Sequence, residues 1–95
     1  MASRFRVRWT RLALQDLRSA KDYVAVDDPR AADRLVASIK KAVAHLSSVP
    51  RSGRVVPERR AQGYREVIVR PYRVVYAVAD NEVQILRIWH SRRRM

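Results

Sequence analysis

Residues 63–90, GYREVIVRPYRVVYAVADNEVQILRIWH, decide the fold. Three apolar segments rich in β-branched and aromatic residues are separated there by turn chemistry, a pattern that predicts a three-stranded antiparallel meander. Arg70-Pro71 divides the first segment from the second, because proline removes an amide donor and restricts the residue before it. Asp80-Asn81 closes the second turn, since both residues tolerate the positive φ that a two-residue hairpin loop demands. Ala79 and Glu82 then form the closing pair, and the register follows: Ala77 faces Gln84, Val75 faces Leu86 and Arg73 faces Ile88. Period-two alternation places Arg73, Val75, Ala77, Gln84, Leu86, Ile88 and His90 on one face, extending to Arg92. The other face carries Tyr72, Val74, Tyr76, Val78, Val83, Ile85, Arg87 and Trp89. Neither reads as a solvent face, so both are expected to be covered, apart from a charged end where Arg73, His90 and Arg92 meet.

Upstream of the meander, Arg54–Arg60 (RVVPERR) reads as a short extended piece interrupted by Pro57, and Ser47–Gly53 (SSVPRSG) collects turn formers. Before that loop the hydrophobic period is helical. Ala13, Leu17, Ala20, Tyr23 and Val24 recur at spacings of three and four, with Thr10 as N-cap, predicting a helix from Arg11 to about Val26. Asp28-Pro29 then has the arrangement that opens a helix, and Ala32, Leu35, Val36, Ile39, Ala42, Val43 and Leu46 form one stripe to about Leu46. With only one or two residues between them, the helices are expected to pack as an antiparallel hairpin. Residues 4–9, RFRVRW, alternate strictly and predict a short edge strand with a wet arginine face. The terminal Ser91–Met95 is too short to pack independently. Residues 1–95 therefore read as one α+β domain: a small antiparallel sheet, built from a short N-terminal strand and a C-terminal three-stranded meander, against an antiparallel two-helix hairpin.

Composition narrows the function. Ninety-five residues with 47% hydrophobic content allow one compact core and no second domain. The absence of cysteine excludes disulfides, thiolate metal sites and cysteine nucleophiles, and agrees with a reducing compartment. No apolar run approaches the roughly 18 residues of a membrane span and no signal-peptide core follows Met1, so a soluble, cytoplasmic chain without a membrane partner is expected. The charge is the strongest compositional signal: 21 basic against 9 acidic residues give +12. An excess of this size attracts nucleic acid or an acidic protein. It is spread evenly, with 10 basic and 5 acidic residues in 1–50 and 11 and 4 in 51–95, so composition alone nominates no patch.

Common catalytic signatures are missing: there is no glycine-rich phosphate loop, no His-Glu-x-x-His and no clustered metal ligands, so no metal or cofactor is expected. His45, late in the second helix, reads as a helix-end residue. His90 is more informative, because the predicted register sets it near Arg73 with Arg92 one pleat further along, and Glu58 is within reach from the preceding loop. Such a group suits a phosphodiester, with imidazole or carboxylate moving protons and guanidinium groups holding phosphate oxygens. The plainer alternative is a strand-end histidine beside solvated arginines, with Glu58 pairing Arg59 or Arg60.

Several strings, in order, resemble the RelE/ParE superfamily of toxins from bacterial type II toxin-antitoxin systems. They are Trp9 followed by A-x-x-x-L at 13–17, DDPRAA at 27–32, P-x-S-G-R at 50–54, VPE at 56–58, YRE at 64–66, PYRVVYAV at 71–78 and ILRIWHSRR at 85–93. The resemblance spans nearly the whole chain and implies growth inhibition, relieved by a cognate antitoxin with which the chain forms a hetero-oligomer. Within the superfamily, ParE-like members poison DNA gyrase and RelE-like members cut ribosome-bound messenger RNA. Nuclease members place an arginine where Arg73 stands and basic or acid/base residues where His90 and Arg92 stand, and one branch has a glutamate at the place of Glu58. The lysines and the C-terminal tyrosine of other nuclease members are missing. VPE, YRE ahead of PYRVVY and the terminal histidine-arginine string look closer to ParE-like chains. The resemblance thus implies gyrase poisoning, with a metal-independent endoribonuclease using Arg73, His90, Arg92 and Glu58 as the alternative. A non-catalytic basic nucleic-acid-binding module is a third class, which explains the charge but not the order of motifs. Because two helices shield only one face of a sheet, an acidic antitoxin segment is expected to cross the helical hairpin and the sheet, meeting charge at the end near Arg73, His90 and Arg92.

Overall fold

The computed structural model describes residues 4–92. The chain runs β1 (Arg6–Trp9), α1 (Arg11–Ala25), α2 (Pro29–His45), β2 (Arg54–Val55), a 3₁₀ segment (Pro57–Gln62), β3 (Arg65–Val69), β4 (Tyr72–Ala79) and β5 (Glu82–His90). Both helices start where their caps predict. Thr10 Oγ1 accepts from the Ala13 amide at 3.2 Å, and Asp28 Oδ1 accepts from the Ala31 amide at 3.1 Å with Pro29 opening the helix. Each satisfies an amide that has no partner within its own helix. Val26–Asp28 link the helices, one residue more than expected, because α1 stops at Ala25.

The α+β class and the helical hairpin are as expected, but the sheet has five strands in the order β1-β5-β4-β3-β2 and is mixed. β1 lies parallel to β5, with Arg6 opposite Glu82 and Trp9 opposite Ile85, and not antiparallel. Alternation assigns β1 a face but neither a neighbour nor a direction. The helical hairpin returns the chain so that β1 runs alongside the last strand. The piece expected to be extended over residues 54–60 is strand only at Arg54–Val55, and turns into the 3₁₀ segment at Pro57. Gly63, at φ 69°, ends that segment in the left-handed region that glycine enters without strain. The Asp80-Asn81 turn forms as read, with φ of 49° and 62°. Arg93–Met95 of the expected loose terminus lie outside the described residues. Among the described residues, no helix is long and apolar enough to cross a membrane.

The predicted β4–β5 register holds from Ala79–Glu82 to Tyr76–Ile85 and then slips by one, so that Val75 faces Arg87, Arg73 faces Trp89 and Tyr72 faces His90. Leu86 is the extra residue of a β-bulge, and the alternation beyond it is inverted. Ile88 therefore joins Ile85, Val83, Tyr72, Val74 and Tyr76 in the core against Ala13, Leu17, Ala20, Ile39 and Val43 of the helices. Thr10 is fastened at the bulge, donating from Oγ1 to Ile85 O at 2.8 Å and Leu86 O at 3.1 Å. On the opposite, outer face Val75 and Val56 are both fully buried, and Glu58 of the 3₁₀ segment reaches Arg73. Ile68 remains 46% exposed.

Candidate functional site

On the outer face, period-two alternation places Glu66 of β3 beside Val75 and Arg73 of β4 beside Ile68. Arg54 of β2 stands directly opposite Glu66. The result is a chain of alternating charges. Arg54 closes on Glu66 Oε2 at 2.6 Å, Arg73 Nη1 donates to Glu66 Oε1 at 3.0 Å, and Arg73 Nη2 donates to Glu58 Oε2 at 2.8 Å from the 3₁₀ segment. Burial is graded along it: the Glu66 side chain is 0% exposed and Arg73 5%, while Glu58 is 27% and Arg54 65%. The hydrogen bond with Glu58 holds the Arg73 guanidinium above its ordinary value, with Glu66 adding to it and burial opposing. Arg73 is therefore a fixed positive charge between two carboxylates.

Gly53, just ahead of β2, ties this edge of the sheet to the core residue Tyr76. Its amide donates to Tyr76 Oη at 2.9 Å, and a Cβ at this position would come within 2.6 Å of both that hydroxyl oxygen and Glu66 O. Burial pushes the Tyr76 hydroxyl up, so it stays protonated.

His90 lies elsewhere. Paired with Tyr72, it points to the helix side, where the two rings meet edge-on at 5.7 Å, and its Nδ1 accepts from the Arg92 amide at 3.3 Å. The four residues singled out from the sequence thus separate into two pairs. Glu58 and Arg73 meet on the outer face, whereas His90 and Arg92 meet at the strand end on the helix side. The expected grouping of Arg73 with His90 and Arg92 is undone by the bulge at Leu86, which turns His90 through the sheet. His45 ends α2 as an exposed residue.

Three residues with defined work escaped the sequence reading. Glu66 and Arg54 belong to the charge chain; the one signal for Glu66 was a carboxylate on an otherwise apolar strand face. Asp16 of α1 holds Arg87 through Nε at 2.8 Å and Nη2 at 3.2 Å, and accepts the Ile88 amide at 2.9 Å. Arg87 in turn lies over the Trp89 ring at 4.7 Å.

Comparison with known proteins agrees with this fold. The profile of the ParE toxin of the type II toxin-antitoxin system, parDE, matches residues 7–95. The chain is similar to toxin RelE2 of Caulobacter vibrioides, 40% identical over 92% of this chain and 96% of that one. It is equally similar, at 40% identity over 94% and 91%, to the putative toxin Y4kP of Sinorhizobium fredii. Among solved structures it resembles the chromosomal ParDE system of P. aeruginosa, with a TM-score of 0.73 at 31% identity, covering 90% of this chain and 95% of that one. It also resembles the RelBE2 toxin-antitoxin complex of Mycobacterium tuberculosis, with a TM-score of 0.64 at 27% identity, covering 95% and 94%.

Proposed function

Because this chain belongs to the ParE toxin family of type II toxin-antitoxin systems, we propose that it stops bacterial growth by poisoning DNA gyrase and is neutralised by an acidic antitoxin. The observation that carries the choice of target is the division of the polar residues between the two sheet faces. Cutting a phosphodiester requires a cation facing the phosphate and a proton-transfer group within hydrogen-bond reach of the same reacting atoms. Arg73 is instead engaged by Glu58 and Glu66 on one face, while His90 stands on the other. This arrangement favours a toxin that acts by binding a protein target.

The second reading, ribosome-dependent cleavage of message, draws on the relatives named RelE2 and RelBE2 and on His90 and Arg92 standing together. One parallel assay separates the two. Purified chain is offered gyrase with DNA, and separately translating ribosomes with message. Protein-linked broken DNA with intact message is expected. Message fragments whose yield falls at least about tenfold in His90→Ala, with DNA left intact, would establish the nuclease reading. Expression of the chain alone is expected to arrest growth and co-expression of the neighbouring antitoxin to restore it. Normal growth with folded protein present would count against a toxic action of this chain.

A further inference from the structure

Every ion pair among the described residues has its arginine on the sheet: Arg8 with Glu82, Arg54 with Glu66, Arg73 with Glu58 and Glu66, and Arg87 with Asp16. Four of the nine acidic residues are used there, and Asp28 caps α2. The uncompensated part of the +12 charge therefore lies elsewhere, and the sequence after the start of α2 carries much of it. Residues 34–57 hold five cations, Arg34, Lys40, Lys41, Arg51 and Arg54, and no carboxylate. Of these, only Arg54 is in an ion pair among the described residues.

On α2 the cations fall in line. Ala32, Ile39 and Val43 are buried, and at 3.6 residues per turn the opposite side of the helix carries Arg30, Arg34, Ser38, Lys41 and His45, all exposed. At 1.5 Å per residue this stripe is about 22 Å long. Asp33, the one carboxylate within the helix, lies about 100° around the axis from Arg34. Between the cations the side chains are small: Ser38, Ala42 and Ala44, with Lys41 and His45, line a shallow cleft of about 600 Å³.

That chemistry selects the occupant. A peptide is held by large side chains seated in pockets, and a single strand of nucleic acid by aromatic rings on which its bases stack. The stripe has no aromatic residue and only small apolar ones. A phosphate backbone needs no more than cations and small hydrogen-bond donors in a row, and a strand of duplex DNA presents a phosphate about every 3.4 Å. We propose that the exposed face of α2 binds the sugar-phosphate backbone of duplex DNA without reading its sequence, and so holds the DNA on which gyrase acts. Binding to DNA stands independently of the target, whereas its use on gyrase-held DNA rests on the gyrase reading above.

The test titrates the full chain into a short labelled duplex of mixed sequence and reads anisotropy from about 50 to about 200 mM salt. The logarithm of the affinity is expected to fall linearly with the logarithm of the salt concentration. Arg34→Gln with Lys41→Gln removes two cations from the stripe, and should lower the slope by about two and weaken binding at least about tenfold near 50 mM salt. Arg59→Gln with Arg60→Gln removes the same charge from the exposed 3₁₀ segment and should leave the slope unchanged. Ser38→Glu sets a carboxylate among the cations without removing one, and should also weaken binding. All five positions are exposed, and circular dichroism confirms that each variant is folded. Equal losses in the two double variants would overturn the proposal in favour of diffuse attraction by the net charge. Absence of duplex binding by the folded chain, or tighter binding of single-stranded RNA of the same length, would overturn it too. With gyrase present, the α2 variants are expected to leave less protein-linked broken DNA, and undiminished breakage would overturn the role on gyrase-held DNA. A chain that binds duplex with the expected slope yet never breaks DNA through gyrase would support the α2 site and sink the gyrase reading, so the two failures are distinct.

Discussion

Glu66 is the single side chain on which the outer face depends, since it is fully buried and holds Arg54 and Arg73 at once. Removing it leaves the buried Arg73 guanidinium without its innermost counter-charge, and a broken buried pair costs about 3–5 kcal/mol. Glu58 holds the same guanidinium from a part-exposed position in a surface turn, where solvent screens the loss to about 1 kcal/mol. Chemical denaturation is expected to rank Glu66→Ala well below Glu58→Ala in stability; equal losses would show that the charge chain is not graded by burial. Glu82 supplies a pH test. Hydrogen bonds from Gln84 first, and from Arg8, hold its carboxyl below the ordinary glutamate value. A folded value below the unfolded one gives a contribution present above the unfolded pKa and lost as pH falls through the folded one. Nuclear magnetic resonance titration should find the Glu82 midpoint lower in the wild type than in Gln84→Ala. Coincident midpoints would remove Gln84 as the cause.

At the scale of elements, the joint between α1 and β5 matters most. Thr10 caps α1 and donates to both carbonyls at the bulge, so one hydroxyl serves a helix end and an irregular strand. Thr10→Val keeps the shape and loses these bonds, at an expected cost of about 1–2 kcal/mol. In a domain of this size each kcal/mol lowers the melting temperature by about 4–8 °C, a shift that calorimetry resolves. Thr10→Ser should stay near the wild type; a matching loss there would point to the methyl group and not the hydroxyl. The same joint marks the limit of what the sequence disclosed. The helices were legible because their period and their Thr10 and Asp28-Pro29 caps are local signals. The Asp80-Asn81 turn was legible for the same reason, and it carried the register correctly as far as Tyr76–Ile85. Beyond that, LRIWH alternates equally well with or without an extra residue. Only contacts with Thr10 and Asp16, more than 70 positions away, mark the bulge. One uncounted residue moved His90 to the other face, so Arg73 with Glu58 was found while the larger group was not. The parallel pairing of β1 was likewise hidden, because alternation describes a strand's faces and not its neighbour.

Over the whole molecule, charge and apolar surface do different jobs in association. A net charge of +12 on a body with a radius of gyration of 13.3 Å makes a field that reaches beyond the surface. The Debye length, about 10 Å at 0.1 M salt and about 3 Å at 1 M, is comparable to the molecule in the first case and to a single contact in the second. The acidic antitoxin proposed above is therefore expected to be drawn in by the entire chain at low salt, and only by the groups it touches at high salt. Once seated, it is expected to be retained mainly by apolar contacts, whose attraction salt does not screen. Rapid-mixing measurements from about 50 mM to about 500 mM salt should show association slowing at least about tenfold while dissociation changes by less than about threefold. A constant association rate would dismiss steering by the net charge. Dissociation that quickened as steeply as association slowed would mean that ion pairs, and not apolar contacts, hold the complex.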